Sequence, residues 1–177
     1  YSQGLETVLQ AWKQLDDLKD LRIMMVGDGQ ARPLVEEALS NDPRAILLPT
    51  QDRADLPALL SAADVGLAPL RHGMAGTSVP SKIFGIMASG RPVIAGVDAG
   101  SDAQTLIETA DCGIVIGPED PDALATAIRT LYGDRRKAAK RGRNGRKYVE
   151  QHHSQDVVVD QYETMLESVI SSNLASD

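Results

Sequence analysis

The sequence predicts an α/β fold: a Rossmann-like, doubly wound parallel sheet with helices on both faces. Three observations carry this. Short apolar runs alternate with longer stretches whose apolar residues recur at helical spacing, the order expected of repeated strand–helix units. The short runs are near-continuously apolar, as in strands covered on both faces. The 177 residues, 42% hydrophobic and 24% charged, suit one globular domain with a real core. Right-handed crossovers then place the helices on both sides of the sheet.

Residues 4–18 read as a helix, with Leu5, Val8, Leu9, Trp12 and Leu15 on one stripe. Leu21 to Val26 reads as a buried strand ended by Gly27-Asp28-Gly29. A helix follows at about 33–40, with Pro33 suited to its first turn. Residues 45–48 form a short strand, and Asp55 is the expected N-cap of a helix bearing Leu56, Leu59 and Leu60. Asp64 to Leu70 is the third strand, followed by a Gly-rich loop over 71–79. A helix runs from about Pro80 to Ser89 and stops at Gly90; Arg91 to Val97 is a strand, 102–110 a helix and 113–117 the fifth strand. Pro121 opens a helix with the stripe Leu124, Ile128 and Leu131, and helices at about 134–150 and 155–171 follow. A doubly wound domain normally begins with a strand that lies centrally, whereas this chain lacks an initiator Met and enters a helix almost at once. The expectation is therefore that residues 1–177 are one domain of a longer protein, with the first central strand upstream of Tyr1.

Composition narrows the function classes. No apolar run approaches the roughly 20 residues of a membrane helix, and no signal peptide is expected. One cysteine, Cys112, excludes an internal disulfide and a Cys-rich zinc site, and three histidines make a His-based metal cluster unsupported. Net charge is −7, with aromatics at 3%, which argues against nucleic-acid binding. The charge is unevenly spread: residues 135–147 hold eight of the 18 Lys and Arg and no acid, leaving ten bases against 25 acids elsewhere. That stretch reads as a solvated helix face, with contact to an anionic membrane surface as the sharper alternative. Gly142 and Gly145 weaken its helix unless close packing requires them.

Ligands of doubly wound sheets bind at the carboxyl ends of the strands. The richest such segment is Gly73-Met74-Ala75-Gly76-Thr77-Ser78-Val79-Pro80-Ser81-Lys82, which follows a strand and leads into a helix. Glycines allow close backbone approach, and a helix N-terminus offers unpaired amides and partial positive charge, a combination suited to a diphosphate. Pro80 has no amide, so the donors are Ser81 and Lys82, with the Lys82 ammonium beside them. The plainer reading is a capped helix with a loop before it. Gly27-Asp28-Gly29 lacks the third glycine of the dinucleotide fingerprint and reads as a tight turn. Asp98, Ser101 and Asp102 follow a strand and could meet a ligand, though N-capping by Ser101 accounts for them equally. His72 sits at a strand end on the functional edge; a surface histidine is the default. His152 and His153 read as structural.

Taken in series, several segments resemble the C-terminal, donor-binding half of GT-B glycosyltransferases of the retaining group 1 family. They are Gln3-Gly4-Leu5-Glu6-Thr7-Val8-Leu9, Val26-Gly27-Asp28-Gly29, Ala62-Ala63-Asp64-Val65, the block from Val79-Pro80-Ser81-Lys82 to Gly90-Arg91-Pro92-Val93, and Cys112-Gly113-Ile114-Val115-Ile116. The resemblance implies a nucleotide-sugar site between two Rossmann-like domains, taking a UDP- or GDP-sugar as substrate with no cofactor and no metal. It places Thr50, Gln51 and Asp52 along the nucleobase and the amides of Ser81 and Lys82 on the diphosphate. Two glutamates of the family pattern, eight positions apart, are here Thr77 and Gly85, facing sugar and ribose as positions only. Gln3 stands where a lysine is usual, and Gln3, Gly76 and Ser78 are further candidate site residues. The catalytic residues are not assigned. The implied protein transfers a sugar to a cell-surface polysaccharide or glycolipid acceptor, in the cytoplasm or at the inner face of the membrane, with its acceptor domain upstream. The alternatives are a sugar-nucleotide epimerase of the same fold and a non-catalytic binding module.

Overall fold

The computed structural model describes residues 4–74 and 79–174, with side chains to 169. Five strands alternate with eight α-helices: α1 Leu5–Lys13, β1 Ile23–Val26, α2 Arg32–Leu39, β2 Ala45–Leu48, a 3-10 turn Arg53–Asp55 running into α3 Leu56–Ala62, β3 Gly66–Pro69, α4 Ser81–Ala88, β4 Val93–Gly96, α5 Asp102–Thr109, β5 Gly113–Ile116, α6 Pro121–Gly133, α7 Arg135–His152 and α8 Gln155–Leu174. Every strand pairing is parallel, as the apolar runs predicted. The pairing falls into two groups, β1 with β2 and β3–β4–β5, and no strand ladder among the described residues joins β1 to β3.

β4 shows how the sequence fixes the layers. All four of its residues are buried. Ile94 joins the core under α1 and α6, with Val8, Trp12, Leu15, Leu124 and Leu131. Val93 and Ala95 join the opposite core, with Ile83, Met87, Ile107 and Cys112. Alternate residues of a strand face opposite sides of a sheet, so β4 is covered on both faces, which is the doubly wound arrangement.

Helix ends follow local chemistry. Ser101 caps α5 by accepting a hydrogen bond from Gln104 N, and Asp120 caps α6 through Ala123 N. α4 stops where Gly90 turns to φ +72°, with Gly90 N–H donating to Met87 O and Arg91 N–H to Ile86 O. Two expectations need correction. Asp55 stands at the N-cap position of α3 as expected, but its side chain makes no capping bond: the 3-10 turn leads straight into the helix, leaving Asp55 itself helical (φ −87°, ψ −14°), whereas side-chain capping needs extended backbone. The first helix ends at Lys13 rather than 18, since residues 14–21 close as successive three-residue turns, Leu15 N to Trp12 O and Leu18 N to Leu15 O among them.

α7 lies against α4 through the two glycines whose presence weakened the helix expectation. A Cβ on Gly142 would fall on the carbonyl of Gly90, and one on Gly145 would sit 2.9 Å from Cys112 Cβ. Close packing is therefore what these glycines provide. Beyond them, Phe84 of α4 meets His153 edge-on with ring centroids 5.0 Å apart, and Tyr148 meets His152 in a tilted ring contact at 4.5 Å, the structural role expected of both histidines.

Candidate functional site at the carboxyl ends of the strands

Parallel pairing puts the strand ends of each group on one edge, and the sequence-predicted residues collect there. At the ends of β1 and β2, Gly27 N–H donates to Leu48 O, and Gly27 adopts φ +129°, a conformation reserved for glycine. That bend brings Asp28 to Thr50. The Asp28 amide donates to Thr50 Oγ1 at 3.2 Å, and the Thr50 amide donates to Asp28 Oδ2 at 2.6 Å. The Thr50 amide, above all, holds the Asp28 carboxyl below its ordinary value. Arg32, in the first turn of α2, donates to Leu48 O at 2.8 Å and Gly27 O at 3.2 Å and ion-pairs with Glu36 at 2.7 Å. Thr50 and Asp52 are exposed and Gln51 half-buried, with Gln51 Nε2 donating to Pro49 O. The 50–52 loop thus presents backbone and polar side chains outward from a pinned base.

At the ends of β3, β4 and β5 a second group forms. His72 Nδ1 lies 2.5 Å from Asp98 Oδ1, the Gly73 amide donates to Asp98 Oδ2 at 2.9 Å, and the His72 amide donates to Glu119 Oε2 at 3.3 Å. Glu119 was not singled out by sequence reasoning. It carries φ +57°, an uncommon state for a non-glycine residue that turns its carboxylate back toward the β3 exit. Nothing in the sequence marks it, because its partner is 47 positions away. Arg71 adds an ion pair to Glu6 at 2.6 Å. Asp98 therefore meets the loop after β3, while Ser101 is spent on its cap and Asp102 is exposed in the first turn of α5.

α4 opens after Pro80, whose ψ of 125° is extended. Ser81 is exposed and Lys82 half-buried. The first turn of a helix has N–H groups without intrahelical carbonyl partners, at the positive end of the helix dipole. Burial pushes the Lys82 ammonium below its ordinary value. One turn on, Gly85 is half-buried, and a Cβ there would make ordinary contact, 3.5 Å, with Leu60 Cδ1 of α3. Thr77, Gly76, Ser78 and Gln3 lie outside the described residues. Among the described residues no group of three or more His, Cys, Asp or Glu is placed to hold a metal ion. A cleft of about 520 Å³ lined by Asp16, Arg22, Asp42 and Arg44 lies away from both groups. Arg44 there binds Asp42, Asp16 and Leu15 O and lies over the Trp12 ring at 4.4 Å, and Arg22 donates to Lys19 O and Leu21 O.

A parallel, doubly wound layer with helices on both faces defines a Rossmann-like α/β class of domain. Residues 1–134 match the family described as glycosyl transferases, group 1, and the chain belongs to that family. WcaI of Escherichia coli (strain K12), named for colanic acid biosynthesis, is 32% identical over 130 residues, covering 72% of this chain and 32% of WcaI. The chain thus spans about a third of the length of the curated relatives it matches. Anabaena HepE, solved with UDP-glucose, superposes with a TM-score of 0.77 at 23% identity over 94% of this chain and 45% of HepE. The C-terminal domain of the group 1 glycosyl transferase LpcC from Francisella tularensis superposes with a TM-score of 0.70 at 20% identity over 87% of this chain and 81% of that one. The fold is that of the C-terminal, Rossmann-like half of GT-B glycosyltransferases. No described helix is long and apolar enough to cross a membrane.

Proposed function

We propose that this chain is the donor-binding half of a retaining glycosyltransferase, which takes a UDP- or GDP-sugar and passes the sugar to a cell-surface polysaccharide or glycolipid acceptor. The observation that carries the reading is the start of α4, where exposed Ser81 and half-buried Lys82 stand at the positive end of the helix. When the bond from the sugar to the diphosphate breaks, negative charge grows on the departing oxygen. The Ser81 and Lys82 amides and the Lys82 ammonium offset that charge where it develops. The new bond forms from an acceptor hydroxyl, whose proton leaves as the glycoside forms. The pinned loop at Thr50, Gln51 and Asp52 holds the nucleobase, and Gly85 leaves room beside the ribose.

The acceptor domain lies upstream in this proposal, with a strand inserted between β1 and β3. The two unjoined strand groups support it, as does the outward apolar stripe of α8, Val159, Tyr162, Met165 and Leu166, which is exposed. The setting is the cytoplasm or the inner face of the membrane.

The test is titration of UDP-glucose and GDP-mannose into the chain by calorimetry, with Ser81→Ala and Lys82→Ala as variants. Binding of one nucleotide sugar, weakened by each substitution, supports the reading; binding unaffected by both, or none by the full-length protein, overturns it. The contact of the His72 imidazole with Asp98, with Glu119 on the His72 amide, is an acid–base arrangement that would serve an epimerase. Product analysis with donor and no acceptor separates the two activities.

A further inference from the structure

The outer face of α7 is a cationic stripe with no internal partner. Arg136, Lys140, Arg143 and Lys147 are exposed and form no ion pair among the described residues. At 100° per residue their spacings of four, three and four keep all four within about 60° of arc, along about 16 Å of helix. The buried seam of the same helix, Ala138, Gly142 and Gly145, faces the opposite way into the α4 contact. The orientation is therefore fixed by packing: α7 cannot roll its cations inward without losing the glycine seam. Of the other four cations of the segment, three are engaged, Arg146 with Glu150 at 2.7 Å, Arg141 toward Asp111 at 3.8 Å, and Arg135 over the Tyr132 ring at 5.6 Å, while Lys137 is exposed about 100° of arc away from Arg136.

Residues three or four apart on a helix have Cβ atoms about 5–6 Å apart, within the roughly 8 Å Debye length of physiological salt, so the fields of neighbouring stripe residues add. The rest of the chain is strongly acidic, ten bases against 25 acids. α8, which follows directly, carries Asp156, Asp160, Glu163 and Glu167 and no Lys or Arg. Such a charge separation orients the molecule, stripe first, toward an anionic surface.

We infer that the Arg136–Lys140–Arg143–Lys147 face of α7 docks the protein on an anionic lipid bilayer. The stripe has no apolar side chain to insert, so docking is adsorption at the headgroups and is screened by salt. A nucleic acid fits less well. Asn144, the amide side chain of the segment, is occupied by Asp111 O and Oδ2 at 3.2 Å, and no aromatic ring stands among the four cations to stack on a base. The inference stands on charge and packing alone and does not depend on the sugar-donor reading.

The test is flotation of the whole chain with phosphatidylcholine vesicles, with and without about one third phosphatidylglycerol. Binding is expected only with the anionic lipid, falling as sodium chloride is raised. Reversal of Arg136, Lys140, Arg143 and Lys147 to Glu lowers the binding constant by about two orders of magnitude or more, at about fivefold per charge. The matching change to Gln, which keeps the helix and removes only charge, also weakens binding. A control with Lys13, Lys19 and Arg53 reversed to Glu keeps it, since those residues lie off the stripe. Equal binding to neutral vesicles, no binding at low salt, equal losses in stripe and control variants, or tighter binding to single-stranded RNA than to anionic vesicles would each overturn the inference.

Discussion

Asp28 and Thr50 are bound to each other twice, each amide donating to the other's side-chain oxygen across two neighbouring strand ends. The pair fixes the loop that carries Gln51 and Asp52. Asp28→Asn keeps the shape but replaces a charged acceptor with a neutral one, and neutral hydrogen bonds are about half as strong. Expected is a weaker UDP-sugar affinity, by roughly fivefold, with the circular dichroism unchanged. Because the Asp28 value is depressed in the folded state, the latch is present above the ordinary carboxylate range and is lost as pH falls through the folded value. Amide exchange at Thr50, followed by NMR between neutral and acid pH, reads this directly; protection that persists after Asp28 is protonated would contradict it.

Lys82 is held below its ordinary value by burial at the start of α4. A diphosphate placed there supplies the opposite charge and reverses that shift. The expected outcome is a rise in the Lys82 value on addition of UDP, followed by 13C NMR of its ε-carbon. Lys82→Ala weakens UDP binding by about tenfold to a hundredfold, as loss of a charge-assisted contact implies. A Lys82 titration that ignores saturating UDP would remove the lysine from the phosphate site.

The sequence makes local features readable and long-range ones opaque. β2 over 45–48, the Ser101 cap and the stop at Gly90 are each decided within a few residues, and each stands where expected. Leu15 and Leu18 keep helical spacing while their backbone closes in shorter turns, so periodicity alone carried the first helix too far. The Asp55 side chain looked like a cap because nothing nearby announced the 3-10 turn before it. The helix start at Ser81 and Lys82 was legible from proline, hydroxyl and lysine in a row. The meeting of His72, Asp98 and Glu119 was not, since it joins the ends of three strands, with Asp98 lying 26 and Glu119 lying 47 positions from His72.

Gly85 and Gly142 are both helical glycines, yet they predict opposite outcomes. A Cβ at Gly85 meets only Leu60 Cδ1 at 3.5 Å, so Gly85→Ala takes the helical preference of alanine without a clash and stabilises by about 0.5–1 kcal/mol. At Gly142 the added carbon lands on the Gly90 carbonyl, and backbone must move. Gly142→Ala therefore destabilises by about 1–3 kcal/mol despite the same gain in propensity. Urea unfolding of the two variants checks both signs, and a Gly142→Ala chain as stable as the parent would mean that α7 does not sit against α4 at this distance.

Cys112 lies fully buried between β5 and the α4–α7 contact, and burial pushes its thiol from 9.0 up to about 11. The neutral thiol is thus favoured in the folded chain. Below pH 9 both folded and unfolded states hold the proton, and the stabilisation is whole. Between pH 9 and about 11 the unfolded chain releases the proton while the folded chain keeps it, so stability falls as pH rises through this window. Fully developed, the loss is about 3 kcal/mol. Cys112→Ala removes the titrating group while keeping the Cβ, so the stability difference between parent and variant should shrink by that amount across the window, whatever other groups titrate there. The same burial predicts that the native chain resists a thiol-modifying reagent at neutral pH and reacts once unfolded in urea. Rapid labelling of the native chain would place Cys112 outside the core that α7 closes.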